Sequence, residues 1–159
     1  MKITIICVGK LKESFHAAAV DEYRKRLSAY CKLEIIEIPD EKTPDNASDA
    51  ENLKIKETEG RKIQKQLKDD AKVIALAIEG KQYSSEGFAE LIEKTGVSGC
   101  GHIQFIIGGS LGLSKEVLDK ANLLLSFSKM TFPHQLMRTI LLEQIYRAYR
   151  INNGEPYHK

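Results

Sequence analysis

The chain has little cysteine, little histidine and no tryptophan. Its 159 residues include three cysteines, Cys7, Cys31 and Cys100, which are odd in number, far apart and without a CxxC pair. This pattern disfavours a disulfide framework. The four histidines show no HxxxH or HExxH spacing, so we predict no metal site. Cys7 lies inside an apolar run and is interpreted as a small core residue.

The chain also lacks a long hydrophobic run. The opening segment MKITIICVGKLKE has only a short apolar stretch between lysines and no small-residue cleavage site. We therefore expect a cytoplasmic protein with no membrane partner. A composition of 42% hydrophobic and 29% charged residues is typical of one compact folded domain, here residues 1–159.

A strong excess of one charge is lacking too, since the formal net charge is only +2. The distribution is uneven, however. From Lys129 onward five basic residues stand against two acidic ones, whereas residues 40–70 carry nine acidic and seven basic residues. The basic C-terminal end could meet a polyanionic substrate. A solvated helix face is the alternative explanation.

Strand-like and helix-like periods alternate along the chain. Apolar runs predict five strands, at residues 2–8, 33–38, 73–78, 102–107 and 123–127. Between and after them, helices are predicted to begin at a serine cap or at a proline: Ser14, Ser48, Ser84 or Ser85, Ser114 and Pro133. The third strand is apolar at nearly every position, as in a strand buried on both faces. The prediction is an α/β fold, with a mainly parallel sheet and helices on both faces.

Two strand ends carry unusual loops. The segment Gly108-Gly109-Ser110-Leu111-Gly112 follows a strand and precedes a helix, where a nucleotide loop would lie, but it matches neither GxGxxG nor the P-loop. A tight turn that requires positive φ is the alternative. After the fifth strand, a polar turn, residues 128–131, stands between two phenylalanines. Adjacent strand ends in an α/β sheet commonly form a ligand crevice.

Five C-terminal residues are candidates for substrate chemistry. His134 and Arg138 are four apart in the last helix, so their side chains can share one face. Tyr157, His158 and Lys159 end the chain, where disorder is the usual alternative. Triad hydrolysis is disfavoured because no GxSxG motif occurs.

The segments FIIGGSLGL, LSFSKMTFPHQLMR, LLEQIYRAYRI and GEPYHK strongly resemble the ribosomal RNA large subunit methyltransferase H family, small members of the knotted SPOUT methyltransferases. MKITIICVGKLKESF and IEIPDE are similar to that family too, so the resemblance spans nearly the whole chain. It implies methylation of N3 of a pseudouridine in 23S rRNA of the assembled ribosome, with S-adenosylmethionine as methyl donor. It also implies a homodimer and a C-terminal trefoil knot, a topology that general connection rules would exclude.

The family's cofactor contacts carry over to Leu76, to Gly108 and to six consecutive residues, Phe127, Ser128, Lys129, Met130, Thr131 and Phe132. Leu76 alone would be interpreted as core, so the resemblance changes that interpretation. The resemblance also implies an active site shared between subunits, with the last helix in the interface. The apolar stripe of that helix agrees with a buried face: Met137, Ile140, Leu141, Ile145 and Ala148.

The resemblance leaves the catalytic roles open. The target imide nitrogen must lose a proton, so we expect near it a general base or a cation such as Arg138 or Lys159. His134, Tyr157 and His158 could orient the base or relay the proton. The alternatives to this enzyme are an inactive ribosome-associated binding protein of the same fold and a tRNA methyltransferase.

Overall fold

The computed structural model describes residues 1–159 and contains one five-stranded sheet. Its strands are β1 (Lys2–Val8), β2 (Lys32–Ile38), β3 (Lys72–Gln82), β4 (His102–Ile107) and β5 (Leu123–Ser126). They lie in the order β2-β1-β4-β3-β5, and every neighbouring pair is parallel. The predicted parallel sheet is confirmed, and all strand carboxyl ends lie at one edge.

Five helices cover the two faces of the sheet: α1 (Ser14–Leu27), α2 (Asp49–Gln64), α3 (Ser85–Val97), α4 (Lys115–Lys120) and α5 (His134–Asn152). Helices α1 and α3 both pack against α5 over the larger of two core clusters, which includes Ile5, Phe105 and Leu141. Helix α2 packs against α4 over the smaller cluster, which includes Ile6, Ile106 and Val117. The predicted helices on both faces are confirmed. No helix combines the length and the apolar composition needed to cross a bilayer.

Serine caps explain where three of these helices begin. The Oγ atoms of Ser48, Ser84 and Ser114 accept backbone N–H bonds from three residues further on, at 3.2, 3.0 and 3.4 Å. Two other predicted starts are off by one residue. Ser14 is the first helical residue of α1 rather than its cap, and Pro133 is the cap of α5 rather than its first helical residue.

Strand β3 continues beyond its predicted end at residue 78. Leu76 and Lys81 both pair with Leu125, so the strand bulges between them and then resumes to Gln82. Gly80 permits this path, because a Cβ there would lie only 2.6 Å from the backbone of Leu124. The bulge places the residues after Leu76 at the carboxyl edge beside the end of β5.

The apolar stripe of α5 packs inside its own chain. Leu141, Ile145 and Ala148 are fully buried in the larger core cluster, whereas Met137 and Ile140 are only partly buried. A charge at Ile145 would therefore test folding, not association between chains. The stripe is a core face rather than evidence for a dimer interface.

Helix α2 meets α4 through a glycine that leaves no space for a side chain. A Cβ at Gly60 would overlap the Oγ of Ser114 and lie 3.3 Å from Val117. Alanine normally stabilises a helix interior by about 1 kcal/mol over glycine. We predict the opposite sign for Gly60→Ala, a loss of about 1–3 kcal/mol in the free energy of unfolding, measured by denaturant titration.

The matched control is Gly96→Ala in α3, where the nearest atom is the mobile methyl end of Met1 at 3.0 Å. That substitution should be neutral or stabilising. A gain in stability for Gly60→Ala would contradict the close approach of α2 to α4.

Candidate functional site

Three loops meet at the carboxyl edge because β3 lies between β4 and β5. Ala75 pairs with Ile106, two residues before Gly108, and Leu76 pairs with Leu125, two residues before Phe127. The bulge of β3 and the loops that follow β4 and β5 are therefore neighbours. The structure brings the eight residues predicted to bind cofactor, Leu76, Gly108 and residues 127–132, to this one edge.

The glycine loop, residues 108–112, folds back on itself. The N–H of Gly112 donates to the carbonyl of Gly109 at 3.1 Å, and Gly112 has a φ of +83° with open space around its Cβ position. A Cβ at Gly108 would lie 2.9 Å from the carbonyl carbon of Gly112. A side chain at Gly108 would therefore first disrupt the turn itself, rather than only intrude on a ligand.

The loop from Phe127 to Phe132 leaves most of its backbone polar groups without a partner in the protein. None of its N–H or C=O groups is hydrogen-bonded to another backbone group. Its shape is held by side chains: Ser126 Oγ donates to Ser128 O at 3.0 Å, and Met130 N donates to Ser128 Oγ at 2.9 Å. Phe127 packs on the larger core, whereas Met130 is 75% exposed. The loop thus offers several unpaired backbone groups to a ligand.

His134 begins α5 immediately after this loop. Its Nε2 lies 3.8 Å from the Cβ position of Gly9, with Asp40 on the same side of that glycine. Partial burial lowers the pKa of His134, and the positive charge of Arg138 lowers it further. The imidazole is therefore neutral near pH 7 and can accept a proton.

Arg138 does not lie at the surface. Its side chain is 2% exposed, Nη1 donates to Glu37 Oε2 at 2.8 Å, and Nη2 donates to Gly9 O at 3.2 Å. Its Nε has no hydrogen-bond partner. The expectation that Arg138 lies near the target nitrogen as a stabilising cation does not fit this position, because its guanidinium joins α5 to the ends of β1 and β2.

The C-terminal tail is packed on the protein, so the disorder alternative is wrong for Tyr157 and His158. The hydroxyl of Tyr157 donates to Glu143 Oε1 at 3.0 Å, and its ring meets Tyr146 edge-on with centroids 4.9 Å apart. Burial raises the pKa of Tyr157 to about 12, so the hydroxyl is a proton donor, not a base, near pH 7.

His158 is held between two helices. Its Nδ1 lies 3.1 Å from Arg147 on α5, and its Nε2 lies 2.9 Å from Glu86 on α3. Arg147 in turn pairs with Glu143. Lys159 is exposed and forms no ion pair. The sequence carries no signal for a role of Glu86, and the one signal for Glu143 is its i,i+4 spacing from Arg147.

The candidate catalytic residues form two separate groups. His134 stands at the first residue of α5, whereas Tyr157, His158 and Lys159 follow its last turn. The tail folds back along α5, and the hydroxyl of Tyr157 reaches Glu143, which lies nine residues after His134, or about 14 Å of helix rise. Within one chain, the tail is therefore separated from His134 by more than two turns of α5.

No group of three or more His, Cys, Asp or Glu side chains is arranged to hold a metal ion. The chemistry available at the carboxyl edge comes from free backbone groups, the His134 imidazole and the glycine loop. This donor set suits an organic ligand with hydrogen-bonding edges.

The family is shown by sequence comparison. The family model described as "Predicted SPOUT methyltransferase" matches residues 1–158, and the chain belongs to this family. It is 66% identical over 159 residues to the ribosomal RNA large subunit methyltransferase H of Clostridium novyi (strain NT), and 64% identical to that of Bifidobacterium adolescentis. Each alignment covers 100% of both chains.

The fold has a solved counterpart. A probable methylase family protein from Haemophilus influenzae Rd KW20 superposes with a TM-score of 0.58 at 12% sequence identity. The alignment covers 99% of this chain and 70% of that one. At this identity the likeness concerns the fold alone.

We predict that Arg138→Ala acts first on stability. It leaves the Gly9 carbonyl and the Glu37 carboxylate without their partner, which should lower the free energy of unfolding by about 2–4 kcal/mol in denaturant titration. The exposed Arg24 is the control, and Arg24→Ala should change stability by less than about 0.5 kcal/mol. Wild-type stability in Arg138→Ala would show that the buried contacts are not formed.

Proposed function

We propose that this protein methylates N3 of a pseudouridine in 23S rRNA of the assembled ribosome, using S-adenosylmethionine, as a homodimer. The observation that carries the proposal is the largely unpaired backbone of residues 127–132 beside Leu76 and Gly108. It occurs in a chain whose full-length relatives are named ribosomal RNA large subunit methyltransferase H.

The residues at the carboxyl edge fit the methyl donor. Backbone N–H and C=O groups of residues 127–132 can recognise the hydrogen-bonding edge of adenine, and Leu76 and Phe127 supply apolar surface. The glycine loop allows close approach at the neighbouring strand end. When bound, the donor supplies a methyl group on a sulfonium, which is already an excellent leaving group. The protein then has to align the reacting atoms, which can contribute about 7–11 kcal/mol.

The target nitrogen must lose its proton before or during methyl transfer. His134 is neutral near pH 7, so it can accept this proton or orient the base. Tyr157 keeps its proton and can only donate a hydrogen bond. Because Arg138 is buried in a structural ion pair, Lys159 is the better candidate for a cation that stabilises the developing anion. His158 remains a second candidate for orienting the base.

A second copy of the chain would bring together His134 and the tail, residues 157–159, which lie apart within one chain. If the tail of one subunit lies over the carboxyl edge of its partner, His134 and residues 157–159 share a site although α5 keeps them apart within a chain. Methyl donor and RNA would then be held by different subunits. We expect the RNA to be recognised through ribosome shape as well as through sequence.

The direct test is methyl transfer from labelled S-adenosylmethionine to whole ribosomes, free 23S rRNA and tRNA. We expect ribosomes to be the preferred substrate. Calorimetry should show donor binding without added metal. Donor binding without transfer to any RNA would indicate an inactive binding protein, and transfer to tRNA alone would indicate a tRNA methyltransferase.

Removal of residues 157–159 should separate the two substrates. We predict that the truncated protein loses methyl transfer to ribosomes while its affinity for S-adenosylmethionine changes little, because the strand-end loops hold the donor whereas the tail acts on the RNA. The exposed Lys94 on α3 gives a control, Lys94→Ala, which should keep full activity. Full activity of the truncated protein would exclude a role for the tail in RNA methylation.

A further inference from the structure

Helix α2 packs against the glycine loop, residues 108–112. A Cβ at Gly109 would lie 3.1 Å from Val8 at the end of β1 and 3.5 Å from the Oε1 of Glu59. The next residue of α2, Gly60, meets Ser114, which caps the helix after the loop. The loop is therefore fixed between β1 and α2, with a carboxyl group directly behind it.

This carboxyl group is buried and only half satisfied. Glu59 is 5% exposed, and its Oε2 accepts a hydrogen bond from the N–H of Glu41 at 3.0 Å. Its Oε1, the oxygen that faces Gly109, accepts no hydrogen bond from the protein. The nearby cation, Lys62, pairs with Glu41 at 2.7 Å instead. The glycine loop thus has against its rear side a carboxylate oxygen that accepts no hydrogen bond from the protein and forms no ion pair.

The surroundings of Glu59 disfavour its ionised form. Burial raises its pKa, the N–H of Glu41 opposes this, the charges of Asp40 and Glu41 raise it further, and Lys62 lowers it. The contacts from the sheet side, Val8 and Gly109, are uncharged. A buried acid that lowers stability yet lies behind a ligand loop is a candidate for function.

We propose that Glu59 is a specificity-determining residue of the methyl-donor site, whose carboxylate favours the positively charged donor over its neutral-sulfur product. The inference rests on the proposed function, since it takes the glycine loop as part of the donor site. S-adenosylmethionine carries a sulfonium, whereas S-adenosylhomocysteine carries a neutral thioether. A negative charge behind the loop stabilises the first and not the second, which helps the product to leave.

Glu59→Gln tests this directly, because glutamine keeps the size and an acceptor oxygen for Glu41 but removes the charge. By calorimetry, affinity for S-adenosylmethionine should fall about fivefold, the order expected for one unit charge acting through partly hydrated protein. Affinity for S-adenosylhomocysteine should not change. The control is Glu57→Gln, two residues earlier on α2, which should alter neither affinity.

The pH dependence gives a second readout. In wild-type protein the preference for donor over product should decrease as pH falls through the raised pKa of Glu59, and in Glu59→Gln it should stay flat. The free energy of unfolding changes with pH in the opposite direction to this preference. A raised carboxyl pKa means that folding loses stability as pH rises above the ordinary range of glutamate. Glu59→Gln should therefore melt higher than wild type near pH 7, with a difference that vanishes in acid.

Three outcomes separate the hypotheses. If wild-type protein binds neither donor nor product, the proposed function fails before the variants are compared. If it binds both and Glu59→Gln binds both equally well, Glu59 has no part in the site. If Glu59→Gln weakens both ligands by the same factor, Glu59 only supports the loop and the proposed charge effect is wrong.

Discussion

The parallel pairing of β3 with both β4 and β5 is the constraint on which the site depends. Because parallel strands end at the same edge, this pairing places the loops after three strands side by side. The bulge at Gly80 and the turn at Gly112 then set the paths of two of these loops. Antiparallel pairing of β5 would send residues 127–132 to the opposite edge and separate them from Gly108.

Helix α5 imposes the second constraint. Its first turn is fixed by the buried guanidinium of Arg138, which reaches the ends of β1 and β2, and the tail after its last turn is fixed by Glu143 and Arg147. Both groups are therefore anchored on the same chain, with His134 and the tail's contact at Glu143 separated by about 14 Å of helix rise. A fixed separation of this kind favours an active site that is completed by a second subunit over one that closes within a chain.

Much of the fold could be predicted from the sequence, because apolar runs and serine caps act locally. The burial of Arg138 could not, since its counterion Glu37 is 101 residues away in the chain. The bulge of β3 could not be predicted either, because it depends on a contact between Gly80 and β5, which is also distant in the chain. Leu76 became a site candidate only through the resemblance, because its local pattern is that of a core residue. The trefoil knot stays a prediction.

The claim that two chains complete one active site is tested most directly by complementation. A His134→Ala chain is mixed and allowed to exchange with a chain lacking residues 157–159, each inactive alone, and methyl transfer to ribosomes is measured. A mixed dimer has one site with both His134 and an intact tail, so the mixture should regain about a quarter of wild-type activity. If mixed dimers form, as seen by native mass spectrometry, and activity stays at the level of the separate variants, the shared site is contradicted.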